Sequence, residues 1–205
     1  MATGQARAKA REAPQESVFA ERFAVFAECL LTGVWIAVAS LPLVTWPAAF
    51  AAGSRHLRRR TGHEAGGWRE FTADFRAAVR GGWIVGVAGW AAVAAVWIDV
   101  LAVRAGIPGG PFVGAVGLLA LLGLSVAVLR AAAVWVPGVS WRTLLADAGR
   151  RTVLDPAGSF LLVGGLAVVA CSAWIIAPLA VPVLGAVAAA AVAVEERHRH
   201  RHRLR

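Results

Sequence analysis

Four charged side chains, Glu28, Asp99, Arg104 and Arg130, fall inside or at the ends of long apolar runs. A charge at membrane depth is costly, and it marks an ion pair, a substrate contact or a proton path by default. Three of the four lie near the ends of their runs, where a long side chain can reach water. Arg130 lies deepest, about six residues, or roughly 9 Å, from the end of its helix. Three readings stand for it: snorkelling to the interface, an ion pair with Glu28 or Asp99 inside a bundle, or a grip on an anionic substrate. Glu28, Asp99 and Arg130 are therefore the candidate intramembrane polar site. No nucleophile–base pair, HExxH, paired carboxylate site or phosphate loop accompanies them. Cys29 and Cys171 lie in apolar runs without metal-ligand spacing and read as small buried hydrophobes. The expectation is no catalytic residue, no metal, no cofactor and no enzymatic activity.

The remaining histidines are His56, His63 and those of the tail EERHRHRHRLR. Alternating Arg and His could suggest a metal tract, but the charged arginines between the histidines oppose a cation. The tail reads as a basic topology anchor for anionic lipid.

The elements that must position these groups are membrane helices. Of 205 residues, 59% are hydrophobic and only 16% charged, against about 25% charged in a soluble domain. The charges sit in blocks separated by long apolar gaps, as in a polytopic membrane protein. The formal net charge is +9. Because the arginines flank apolar spans, lipid headgroups explain them better than nucleic acid does. Lys9 is the only lysine, and alanine is abundant, a bias expected of a GC-rich, actinobacterial genome.

In chain order, residues 1–16 read as a disordered tail. No cleavable signal peptide is expected. A single membrane domain covers 17–196, and 197–205 is a basic tail. A first span is expected at about 29–44, broken or bent by Pro42 and Pro47 at the membrane boundary. A short helix then carries Arg55, His56, Arg58, Arg59 and Arg60, with the arginines facing lipid or a partner. Trp68, Phe71, Phe75 and Val79 form a stripe at helical spacing, predicting a surface helix over 68–80 with aromatics in the headgroup zone. Gly81 and Gly82 are expected to break it. The second span, 83–103, carries Trp83, Trp90 and Trp97 at seven-residue intervals and a GxxxG at Gly82 and Gly86 that admits close helix approach. A third span covers about 112–136. Residues 140–153 form a second amphipathic surface helix, with Leu144, Leu145 and Ala148 on one side. Spans four and five are expected at about 158–177 and 181–194, with a turn at Pro178 and Pro182.

The architecture is therefore all-α, with about five transmembrane helices and two cytoplasmic amphipathic helices. Segments 53–82 and 137–156 and the C-terminal tail hold most of the arginines, which places them in the cytoplasm. Five spans put the N-terminus outside. A re-entrant first segment, folded back at Pro42–Pro47, would put it inside.

The stretch from Leu41 to Arg80 carries the most specific pattern. Ser40, Leu41, Pro42, Thr45, Pro47, Ala48 and Ala51 are followed by Trp68, Phe71 and Phe75. Thr45 is placed to satisfy a carbonyl freed by one of the prolines. This order resembles the YesL-like family of bacterial integral membrane proteins, whose members share an SLP-x-x-T-x-P-A-x-x-A type of segment after the first span. The resemblance implies a multi-pass inner-membrane protein with an accessory role around carbohydrate uptake. It implies sugar-transporter subunits as partners and supplies no catalytic residue. A small transporter or channel is the alternative expectation.

Overall fold

The computed structural model describes residue 23 and residues 26–62, 66–175 and 180–203. Among these residues every regular element is a helix: α1 (Phe26–Ala39), α2 (Trp46–Thr61), α3 (Trp68–Arg104), α4 (Gly110–Val134), α5 (Trp141–Leu154), α6 (Pro156–Ile175) and α7 (Ala180–Arg203). Three of them, α3, α4 and α6, are long and apolar enough to cross a membrane, which fits a helical membrane protein. The expected disordered tail at 1–16 and the turn residue Pro178 lie outside the described residues.

The first span differs from expectation. Among the described residues, helix α1 runs for roughly 21 Å and ends at Ala39. The chain then reverses through 40–45. Leu43 N–H donates to Ser40 O at 2.8 Å, and Thr45 Oγ1 donates to Ala39 O at 2.6 Å. Leu43 sits at φ 55°, a strained position for a branched side chain. Its carbonyl accepts a bond from Trp90 Nε1 at 3.1 Å, which pins the reversal against α3. Pro47 lies in the first turn of α2, where no amide donor is needed. Helix α2 returns antiparallel along α1: Gly53 abuts Ile36 and Thr32, and His56 reaches Glu28. The segment 29–44 is thus one arm and the turn of an antiparallel helix hairpin with α2, rather than a single bent helix.

Helix α2 is the centre of the molecule. Residues 47–54 are buried without a gap, as are His56 and Leu57. Small residues, Ala48, Ala49, Ala51 and Ala52, let α3, α4 and α7 close around it. The GxxxG of α3 serves this approach: Gly82 faces Ala48, and Gly86 faces the backbone of Val44, where any side chain would collide.

Helix α3 is continuous through Gly81 and Gly82, contrary to the expected break. Its 37 residues extend roughly 55 Å. The helix-breaking cost of two glycines, roughly 1 kcal/mol each, is offset by what packs there. Gly81 and Gly82 receive the Trp141 ring, and Gly82 also receives Ala48. Helix α5 forms as expected, with Ser140 Oγ accepting from Thr143 N–H as its N-cap and Trp141, Leu144 and Ala148 buried.

Apart from Gly110, burial in α3 and α4 lies at one end. No residue of α3 beyond Gly86 is buried, and in α4 the buried residues are Gly110 and 126–133. The packed end gathers the start of α3, the end of α4, α5, the start of α6 and the basic end of α7. The apolar arms of the spans extend from it with Trp83, Trp97, Ile98 and Leu119 exposed, as lipid-facing surface would be.

Candidate functional site

Two ion-pair clusters occupy the packed end. The first surrounds Arg130, whose side chain is 0% exposed. Arg130 is carried inward because the last turns of α4 are enclosed by α2, α5, α6 and α7. Its Nη2 donates to Asp155 Oδ2 at 3.1 Å, to Asp155 O at 3.2 Å and to Ser159 Oγ at 3.3 Å. Its Nη1 donates to Glu195 Oε1 at 3.3 Å. Glu195, also buried, takes a second bond from Arg151 Nη1. Asp155 additionally accepts Gly158 N–H, fixing the entry into α6. Two guanidinium groups, from α4 and α5, thus face two carboxylates, one from α7 and one from the α5–α6 junction.

The second cluster lies along α2. Asp74 of α3 is buried between Arg55 and Arg59: Arg55 Nε stands 3.3 Å and Arg59 Nη1 2.9 Å from Oδ2. The Nη1 contact lacks hydrogen-bond alignment; the aligned bond runs from Arg59 Nη2 to Oδ1 at 3.4 Å. Arg60 Nη2 pairs with Glu28 Oε1 at 2.8 Å. His56 Nε2 lies 3.3 Å from Glu28 Oε2. Arg58 Nη2 donates to Trp135 O at 2.6 Å, closing the end of α4 onto α2.

His56 is roofed by an aromatic group. Trp35 meets the imidazole edge-on at 4.9 Å and packs on Trp68 and Phe71, with Phe75 stacked beyond. Burial lowers the His56 pKa below its ordinary value, against the pull of Glu28, with Arg60 and Arg59 adding to the lowering. A neutral imidazole donating from Nε2 to Glu28 suits this setting and leaves Nδ1 without a partner.

Several sequence expectations are corrected here. Glu28, Asp99 and Arg130 do not form one site. Arg130 takes Asp155 and Glu195, Glu28 takes His56 and Arg60, and Asp99 lies against Gly117 of α4 with no ion pair among the described residues. Snorkelling does not describe Arg130, since the helices that surround it bring the carboxylates inward. Arg55, Arg58 and Arg59 face Asp74 and the Trp135 carbonyl rather than lipid; Arg60 alone of that group is largely exposed. The aromatic stripe turns inward at Phe71, which is 1% exposed because α3 lies against α1 and α2 at that point, while Trp68 stays exposed. Among the described residues no group of His, Cys, Asp and Glu is placed to hold a metal ion.

Sequence reasoning missed Asp155, Glu195, Arg151 and Ser159. One signal was present for Glu195: it continues the buried face formed by Ala188, Ala191 and Val192 at helical spacing. The alanines around it hide that face, because they are equally apolar on every side. No family model, curated protein or solved structure matches the chain.

Proposed function

We propose that the chain is a non-enzymatic accessory or interaction protein of a bacterial inner membrane, with its arginine-rich end in the cytoplasm. The observation that carries this reading is the fate of the buried charges. Among the described residues Asp74, Arg130 and Glu195 are the buried full charges, and each is ion-paired to a neighbouring helix. Groups engaged in holding helices together are not displayed along a path for a substrate. In this reading α3, α4, α6 and α7 cross the membrane, α1 and α2 form a re-entrant pair, and both the start of α1 and the tail are cytoplasmic. Charge asymmetry supports that sidedness, since the arginine-bearing segments meet at one end. The link to carbohydrate uptake rests on the pattern at 40–51 and 68–75, and sugar-transporter subunits are the partners it names.

Cross-linking in native membranes, mild extraction and mass spectrometry test the proposal. Near-stoichiometric recovery of transporter subunits is the expected result. Recovery of the chain alone, with solute uptake by the chain in liposomes, would replace it with the small-transporter reading.

A further inference from the structure

A groove of about 650 Å³ lies between α3 and the connection from α4 to α5. That volume is within the ~300–1,000 Å³ typical of small-molecule sites. Ile84, Trp135, Trp141 and Leu145 give it apolar walls, and Arg80 and Arg142 also line it. The Trp141 wall is fixed, because its Nε1 donates to Ala78 O at 3.0 Å and its ring lies over Gly81. Gly81 thereby keeps the space between helix and ring free of a side chain.

The two arginines differ from those of α2. Arg80 and Arg142 are exposed, and neither makes an ion pair or hydrogen bond among the described residues. They stand on different elements and face the same groove. The groove also sits where α3 changes from the charged 68–80 stretch to the apolar stretch that begins at Trp83. In a bilayer this is headgroup depth. Ile84, 57% exposed, continues the groove onto the lipid-facing side of the span.

We propose that this groove is a binding site for an anionic phospholipid. Arg80 and Arg142 hold the phosphodiester from two sides, as guanidinium groups bind phosphate, and would repel a cationic choline head. The acyl chains leave over Ile84 along α3. A soluble anion would leave the apolar walls unused, whereas a phospholipid matches both the charge and the walls. This inference does not depend on the partner reading above.

The test is native mass spectrometry of the full chain from nanodiscs containing equal phosphatidylglycerol and phosphatidylcholine. Retained phosphatidylglycerol should exceed phosphatidylcholine at least tenfold. The Arg80→Gln/Arg142→Gln variant should lose that preference, while Arg69→Gln/Arg150→Gln, which removes two exposed arginines outside the groove, should keep it. Val139→Trp fills the rim without touching a charge and should also release the lipid; it serves as the readout if the arginine variant does not fold. Equal retention of the two lipids by the unaltered chain would overturn the proposal. So would an unchanged preference in the groove variants, equal loss in the control pair, or capture of an acidic peptide in place of lipid.

Discussion

The cluster around Arg130 and the cluster along α2 sit at the same end of the molecule and differ in balance. Around Arg130, two arginines meet two carboxylates, and Ser159 and a backbone carbonyl take further bonds. Along α2, Arg55 and Arg59 share Asp74, Arg60 takes Glu28, and Arg58 donates to the Trp135 carbonyl. Several polar atoms there, Ser54 Oγ and His56 Nδ1 among them, are buried without a hydrogen bond, against Arg130 Nε alone of the Arg130 side chain. The first cluster is a closed clasp between α4, α5, α6 and α7. The second holds the α1–α2 hairpin against α3 and α4, with Arg55, Arg59 and Arg60 sharing two carboxylates. Low dielectric strengthens paired charges and penalises orphaned ones, so the two should respond differently to the same kind of substitution.

The largest effect is expected at the clasp. Arg130→Met takes the shared guanidinium from Asp155 and leaves Glu195 to Arg151, and should cost about 3–5 kcal/mol. Denaturant unfolding in detergent measures this. Arg130→Met/Glu195→Leu removes both deep charges together and should recover a good part of the loss, since an apolar replacement of a buried pair is often tolerated. A double variant as unstable as the single would mean that the pair is not a simple clasp.

A smaller loss is expected at Asp74, whose arginine partners are about one-fifth exposed and can turn toward water. Asp74→Asn should cost about 1–3 kcal/mol. The loss should shrink in an Arg59→Gln background, where less positive charge needs a partner. An Asp74→Asn effect as large as that of Arg130→Met would remove the distinction between the clusters.

The smallest effect is the pH dependence of the α2 cluster. His56 is charged less readily in the folded chain than in the unfolded one. The unfolded state therefore binds more protons as pH falls below about 6.5, the ordinary histidine value. Stability should be level above that value and decline below it. His56→Gln should flatten the decline. A profile unchanged by His56→Gln would remove this assignment.

The sequence makes the class of fold legible, and the physics explains why parts of the layout are not. Apolar length marks α3, α4 and α6, and the amphipathic pattern over 140–153 marks α5. Periodicity finds the Trp68–Phe71–Phe75 stripe but does not say what covers it; Trp35 and α1 do. Gly81–Gly82 reads as a break because local propensity opposes helix there, and the Trp141 ring overrides it. The two prolines and Thr45 announce a reversal, yet whether the chain crosses or returns depends on Gly86 and on the Gly33–Gly185 approach of α1 to α7. That approach brings together residues far apart in the chain. Arg130 signals a buried charge; its partners lie where apolar runs begin and end, and pattern alone assigns them to water.

The central claim is that α1 and α2 form a re-entrant pair, with Glu28 and Arg60 at the same membrane face. Single cysteines at Phe23, Arg60 and Glu196, in a background with Cys29 and Cys171 replaced by serine, can be labelled with an impermeant maleimide in intact cells and in inverted vesicles. All three should label only in the inverted vesicles. Labelling of the Phe23→Cys site in intact cells, with the other two labelled only in inverted vesicles, would mean that the first segment crosses the membrane and would contradict the claim.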